Sequence, residues 1–272
     1  MSGTAASNEG TRLKQAILED GPRLDPDSRF RFRCHLESPC FTACCADVNI
    51  FLTPYDVLRM KNRLGISSQE FLARYTVSPF TEKQKLPVVV LKMEDDQGKR
   101  CPFVSPEGCR IYQDRPWPCR MYPVGKASSA DDEFYFLLEE EGCEGFCDDR
   151  EWTVAEWMAN QGVAEYDEIG ELFSAIVTSA RIHQGAKLNP QQMEMFYMAC
   201  YDLDKFRRFV LESRFLDLHD VAEETVERIK TDDLALLRFA FDWLRFWLSG
   251  VRTMKIKEDV AETKRQQLGL AN

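Results

Sequence analysis

Nine of the ten cysteines in this 272-residue chain fall between positions 34 and 147. They stand as Cys34, Cys40, Cys44 and Cys45, then Cys101, Cys109 and Cys119, then Cys143 and Cys147. The spacings are C-x5-C-x3-C-C, C-x7-C-x9-C and C-x3-C. Such a segment must bury its thiols as small apolar groups, bridge them, or gather them around a metal. Burial as filler suits one isolated cysteine, and it is the reading for Cys200, which sits in a helical stretch with Met195, Phe196 and Met198. The clustering of the other nine argues against it. The compartment decides between bridges and metal. The opening MSGTAASNEG shows no basic start followed by an apolar run. The expectation is a cytoplasmic protein, and in a reducing compartment clustered thiols bind metal more often than they pair.

A site built from thiolates selects zinc or iron–sulfur clusters over magnesium or calcium. Four thiolates suit either Zn²⁺ or a [4Fe–4S] cluster. Histidine contributes little: of three, His183 and His219 lie in the second half, and His35, beside Cys34, reads as a neighbour and not a ligand. Successive side chains point in different directions, so Cys44 and Cys45 share one ion only through an awkward turn. One of the two is expected to face the cofactor while the other serves a second metal, packs in the core or acts as a redox thiol. Arg110, Arg115 and Arg120 lie close in sequence to Cys109 and Cys119, where cations lower thiolate pKa values and raise a cluster's potential. Pro116 and Pro118 flank Trp117 and stiffen the approach to Cys119.

The pattern predicts an α+β chain in three parts: a polar arm over 1–28, an irregular cysteine-rich metal-binding module with short strands over 29–150, and an α-helical region over 151–272. A short helix is expected around Leu13–Leu18. Thr53-Pro54-Tyr55-Asp56 opens a helix, with Thr53 as cap and Pro54 in the first turn, that runs to Arg63 and ends at Gly65. Ser67 or Ser68 caps the next, which puts Phe71, Leu72 and Tyr75 on one face. Residues 87–93 and 133–138 are the strand candidates. Thr153 with Glu156 has capping-box spacing. Helical periodicity continues near 166–183, 190–213, 219–230, 232–249 and 252–266. The stretch 234–248 is the most apolar, but with Arg238, Asp242 and Arg245 it is too short and too charged to span a bilayer.

The words around the cysteines carry a resemblance as well. FRCHLESPCFTACC, LTPYD and CPFVSPEGCRIYQDRPWPCRMYP resemble the CxxCxxCC, or YkgJ-like, cysteine-cluster family. Its members are described as zinc- or iron-chelating proteins, often as iron–sulfur proteins, and include the flagellin lysine N-methylase. The resemblance covers roughly residues 30–150. It implies that Cys34, Cys40, Cys44, Cys45, Cys101, Cys109 and Cys119 take the positions of the family's cluster cysteines, with Cys143 and Cys147 where members carry further ones. The first gap here is five residues in place of two.

The expectation is therefore a metalloprotein holding an iron–sulfur cluster, 4Fe–4S by preference and zinc as the alternative, with a redox role or one in support of protein modification or assembly. A non-catalytic zinc-binding interaction protein and a lysine N-methylase-like enzyme are the competing readings. No radical-SAM C-x3-C-x2-C, no G-x-G-x-x-G, no phosphate loop and no H-E-x-x-H is present. A formal charge of −10 argues against nucleic acid as a partner, and no membrane association is expected. The aromatic helices at 195–218 and 239–248 are core faces first; a protein partner through the helical region is the functional expectation.

Overall fold

The computed structural model describes residues 22–78, 86–96, 98–128, 133–139, 142–179 and 188–267. The helix expected around Leu13–Leu18 lies outside them, as does His183. The class is α+β, with short antiparallel strands among loops and longer helices gathered toward the C-terminal half. The chain divides into two compact units, each assembled from three stretches. One comprises Met1–Cys45, Pro106–Gly108 and Pro118–Ala164; the other comprises Ala46–Ser105, Cys109–Trp117 and Glu165–Asn272.

The first unit is built on two strand pairs. Arg29–Arg31 runs antiparallel to Glu151–Thr153, with Phe30 opposite Trp152. Val124–Ser128 and Glu133–Leu137 form a longer antiparallel pair, the second of them at the expected 133–138. Thr153 then caps the helix Val154–Gln161 through the predicted box: its side chain accepts the Glu156 amide, and Glu156 accepts the Thr153 amide. Aromatic rings supply most of the core. Phe32 meets Phe146, Trp157 and Tyr122 edge-on, at centroid distances of 5.2, 5.5 and 5.8 Å. The indole N–H groups of Trp152 and Trp157 donate to the carbonyls of Phe32 and Met121, so the buried polar edges are satisfied.

The second unit is mainly helical. Thr53 caps Pro54–Leu64 with Pro54 in the first turn, and Gly65 closes it in the left-handed region at φ 66°. Ser67, the first of the two expected candidates, caps Ser68–Tyr75 by accepting the Glu70 amide. Val89–Leu91, within the predicted 87–93, is the middle strand of a small antiparallel sheet between Phe51–Leu52 and Thr76–Val77. Then come Ala164–Val177, Pro190–Cys200, Leu203–Glu212, Phe215–Leu218, Glu223–Ile229, Asp233–Ser249 and Glu258–Gln267. The periodic stretch 190–213 is thus two helices and not one. Asp202 interrupts it because its side chain caps the second helix at the Lys205 amide and accepts the Ser68 hydroxyl at 2.7 Å. No helix among the described residues is long and apolar enough to cross a membrane. Asp233–Ser249 instead buries Leu236, Leu237, Ala240 and Leu244 against the core, as the mixed charge of 234–248 predicts.

One charged network lies inside this helical core. Lys61 is almost wholly buried and donates to Asp233 at 2.7 Å; Arg207 pairs with the same carboxylate and with Asp204, and Asp204 accepts the Ser68 amide. Burial alone pushes the Asp233 carboxyl up, but hydrogen bonds from Lys61 and Arg207 outweigh it and hold the pKa below the ordinary value. A carboxyl lowered on folding contributes stability that is present above its unfolded pKa and is lost as pH falls through the folded one. Lys61→Ala, which leaves Asp233 half-paired, should therefore cost about 3 kcal/mol near neutral pH by chemical denaturation. The gap from wild type should narrow as pH drops below about 4. A gap that stays constant on acidification would contradict the pairing.

Candidate metal centre

The cysteines of the first unit sit on turns pinned by backbone hydrogen bonds. The Phe32 amide donates to the Arg150 carbonyl and the Arg33 amide to the Gly145 carbonyl at 2.9 Å, so the approach to Cys34 is fastened to the turn Glu144–Cys147. Gly145 makes this possible because a Cβ there would stand 2.6 Å from the Phe32 ring. From Cys34 onward the chain winds through successive tight turns, with the amides of Ser38, Phe41, Ala43 and Cys45 bonded to carbonyls three residues back. Thr42 takes a left-handed φ of 65° on the way into the short helix Ala43–Cys45.

This winding carries separated cysteines to one neighbourhood. The Cys34 thiol is pushed up to about 11, first by burial of its sulfur and then by the negative charge that Cys44, Cys40 and Cys143 would carry. Cys34 as a residue is exposed, so solvent tempers the size of that effect, but the direction identifies its neighbours. The Glu144 amide donates to Cys40 Sγ at 3.3 Å and so ties the third cysteine group to the first. Cys45, Cys119 and Cys147 belong to the same unit; Cys119 and Cys147 are exposed and Cys45 half-buried. His35 faces Asp148, with 3.9 Å between Nε2 and the carboxylate.

Cys101 and Cys109 are brought together within the second unit. Burial raises both thiols, and each also raises or feels a charged partner: Cys109 raises Cys101, while Arg110 favours the thiolate of both and Arg115 that of Cys109. Amides take part as well. Those of Phe103 and Val104 bond Cys101, and that of Ile111 bonds Cys109. Donors aimed at sulfur stabilise the thiolate, the form that binds metal. The expected role of the arginines therefore has a physical basis for Arg110 and Arg115. Arg115 is buried, stacks 3.8 Å from the Tyr112 ring and donates to the Tyr112 carbonyl. Arg120 donates at 2.7 Å to the Gln161 carbonyl at the end of the helix Val154–Gln161. Cys200 is fully buried in the helical core, as expected.

Among the described residues no three Cys, His, Asp or Glu side chains stand arranged to hold an ion as they are. What is present is a donor set of the right chemistry, held in neighbouring turns. Soft thiols with amide donors fit a thiophilic metal, and metal binding would draw the protons off thiols that repel one another when charged. The amides directed at sulfur and the buried Asp56 carboxylate were not foreseen from the sequence; only the Thr53–Asp56 capping spacing hinted at the latter.

Cys200→Ala should cost about 1 kcal/mol of stability through lost packing and leave metal content untouched. A fall in bound metal would place Cys200 at the centre and contradict the core assignment.

Comparison with known proteins places this cysteine-bearing stretch. No curated protein and no solved structure was found to match the chain. A family model does match, over residues 33–148, and its description is "putative zinc- or iron-chelating domain". Residues 33–148 thus match the CxxCxxCC model, the cysteine-cluster family that their motifs resemble.

Proposed function

We propose that the chain is a metalloprotein whose cysteine module binds an iron–sulfur cluster, of the 4Fe–4S kind, with Cys34, Cys40, Cys44 and Cys143 as the core of the ligand set. Cys45, Cys119 and Cys147 are the remaining donors within the same unit, and Cys101 and Cys109 would serve a second site within the other. The reading is carried by one observation above the rest: the Cys34 sulfur has Cys40, Cys44 and Cys143 as its electrostatic neighbours. Zinc is the second reading, favoured by the family description, which names it equally.

The residues of the chain do three things in this account. The turns from Cys34 to Cys45 and from Glu144 to Cys147 hold sulfur atoms from separated stretches in reach of one another. The Glu144 amide supplies a hydrogen bond to sulfur, which tunes a thiolate-bound centre without replacing a ligand. Aromatic packing by Phe32, Phe146 and Trp157 keeps one side of the module dry. When bound, an iron–sulfur cluster supplies one-electron chemistry, and zinc supplies folding energy alone. The work that follows is redox, or support of protein modification or assembly in the cytoplasm, with the helical region docking a protein partner. Methylase activity gains no support, since it rests on family membership alone.

The test is metal and sulfide content of anaerobically purified wild type beside single serine variants. Cys34→Ser, Cys40→Ser, Cys44→Ser and Cys143→Ser should each lower bound metal by about tenfold or more at limiting metal concentration. Full loading of the quadruple variant would overturn the assignment. Stoichiometric zinc without iron or sulfide in the wild type would select the second reading.

A further inference from the structure

Five residues separate Cys34 from Cys40, and two adjacent residues of a later segment of the same unit hold the ends of that loop. At the Cys34 end, the Arg33 amide donates to the Gly145 carbonyl at 2.9 Å. At the Cys40 end, the Glu144 amide donates to Cys40 Sγ at 3.3 Å, across 104 residues of sequence. The two ends therefore stand no farther apart than one dipeptide and two hydrogen bonds allow. Between these fastenings the chain turns twice, the Ser38 amide bonding the His35 carbonyl and the Phe41 amide the Ser38 carbonyl. The dipeptide is itself held in place. Gly145 is buried against Phe32, whose ring edge a Cβ at 145 would meet at 2.6 Å.

A loop of this length left to itself samples many end separations, and closing it costs entropy. Turns inside the loop set its path but do not aim a cysteine sulfur. We propose that the dipeptide Glu144–Gly145 is the positioning element of the C-x5-C loop: it closes the loop and delivers the Cys40 sulfur to the site where Cys34 stands. The inference rests on the metal-binding reading above. It gives the third cysteine group a second task, because that segment offers Cys143 as a donor and also orders the first group through its main chain.

Proline at 144 isolates one of the two bonds. Glu144 is the first residue of the helix Glu144–Cys147, where a proline ring fits, and Cys143 before it has the extended backbone that a following proline needs. Glu144→Pro thus deletes the N–H aimed at Cys40, whereas Glu144→Ala deletes the side chain and keeps that N–H. The experiment loads full-length protein anaerobically with zinc(II), or with ferrous iron and sulfide, and follows iodoacetamide labelling of each cysteine by mass spectrometry. Loading should slow the labelling of Cys34, Cys40 and Cys143 in wild type. In loaded Glu144→Pro, Cys40 should label about tenfold faster than in loaded Glu144→Ala, with Cys34 and Cys143 still protected. A merely structural role would expose the three cysteines together. Should Glu144→Pro not fold, Gly145→Ala keeps the test: it should expose Cys34 and Cys40, and Phe32→Leu in the same chain should restore their protection by removing the ring edge that the new methyl strikes.

Equal labelling of Cys40 in loaded Glu144→Pro and Glu144→Ala would overturn the proposal. So would joint exposure of Cys34, Cys40 and Cys143 in Glu144→Pro, a wild type that protects Cys34 without Cys40, a Gly145→Ala protein protected like wild type, or a Phe32→Leu change that restores nothing; in these cases metal binding itself would stand. Absence of protection at every cysteine of loaded wild type would remove the metal-binding reading and this inference together.

Discussion

The Phe32 ring resting on the bare backbone of Gly145 sets how near the two ends of the cysteine module come. A methyl group at 145 would drive into the ring, and the Arg33-to-Gly145 hydrogen bond depends on the same approach. Cys34 follows directly on Arg33, and Cys143 lies two residues before the glycine, at the start of the short helix Glu144–Cys147. The electrostatic neighbourhood of Cys34, Cys40, Cys44 and Cys143 is a consequence of this contact, together with the tight turns after Cys34. The ligand chemistry is thus supported by an ordinary packing interaction. Aromatic area supplies the stabilisation, and a missing side chain permits the distance.

What the amino-acid order made legible is what acts locally. Thr53 and Thr153 both announce helices because a capping box needs only residues three apart. Cys200 could be assigned to the core from the Met and Phe around it. The chemistry of the donor set was also readable, since sulfur is soft wherever it lies. Long-range geometry was not. Nothing within a short window reveals that Cys143 joins Cys34, Cys40 and Cys44, that Phe103, Val104 and Ile111 turn their amides toward sulfur, or that Asp56 reaches Trp117. The break at Asp202 was hidden for the same reason: its partner Ser68 lies 134 residues away.

The helical unit has its own logic of buried charge. Lys61 and Arg207 neutralise Asp204 and Asp233 where helices begin, in a core otherwise filled by Phe71, Phe196, Phe206 and Phe241. Breaking such a pair costs more than forming it contributes, because the remaining charge stays buried. The same unit carries Cys101 and Cys109 with their amide and arginine surroundings, so the segment that matches the CxxCxxCC model is not confined to the unit that holds its other seven cysteines. A matched family segment and a compact unit of structure are different divisions of this chain.

The claim beneath all of this is that sulfur atoms from distant parts of the sequence hold one inorganic centre. X-ray absorption at the metal edge of anaerobically purified protein examines it most directly. The expected result is a first shell of sulfur alone at about 2.3 Å, with a short iron–iron distance as well when the centre is a cluster. A first shell of oxygen and nitrogen around the bound metal would contradict the account.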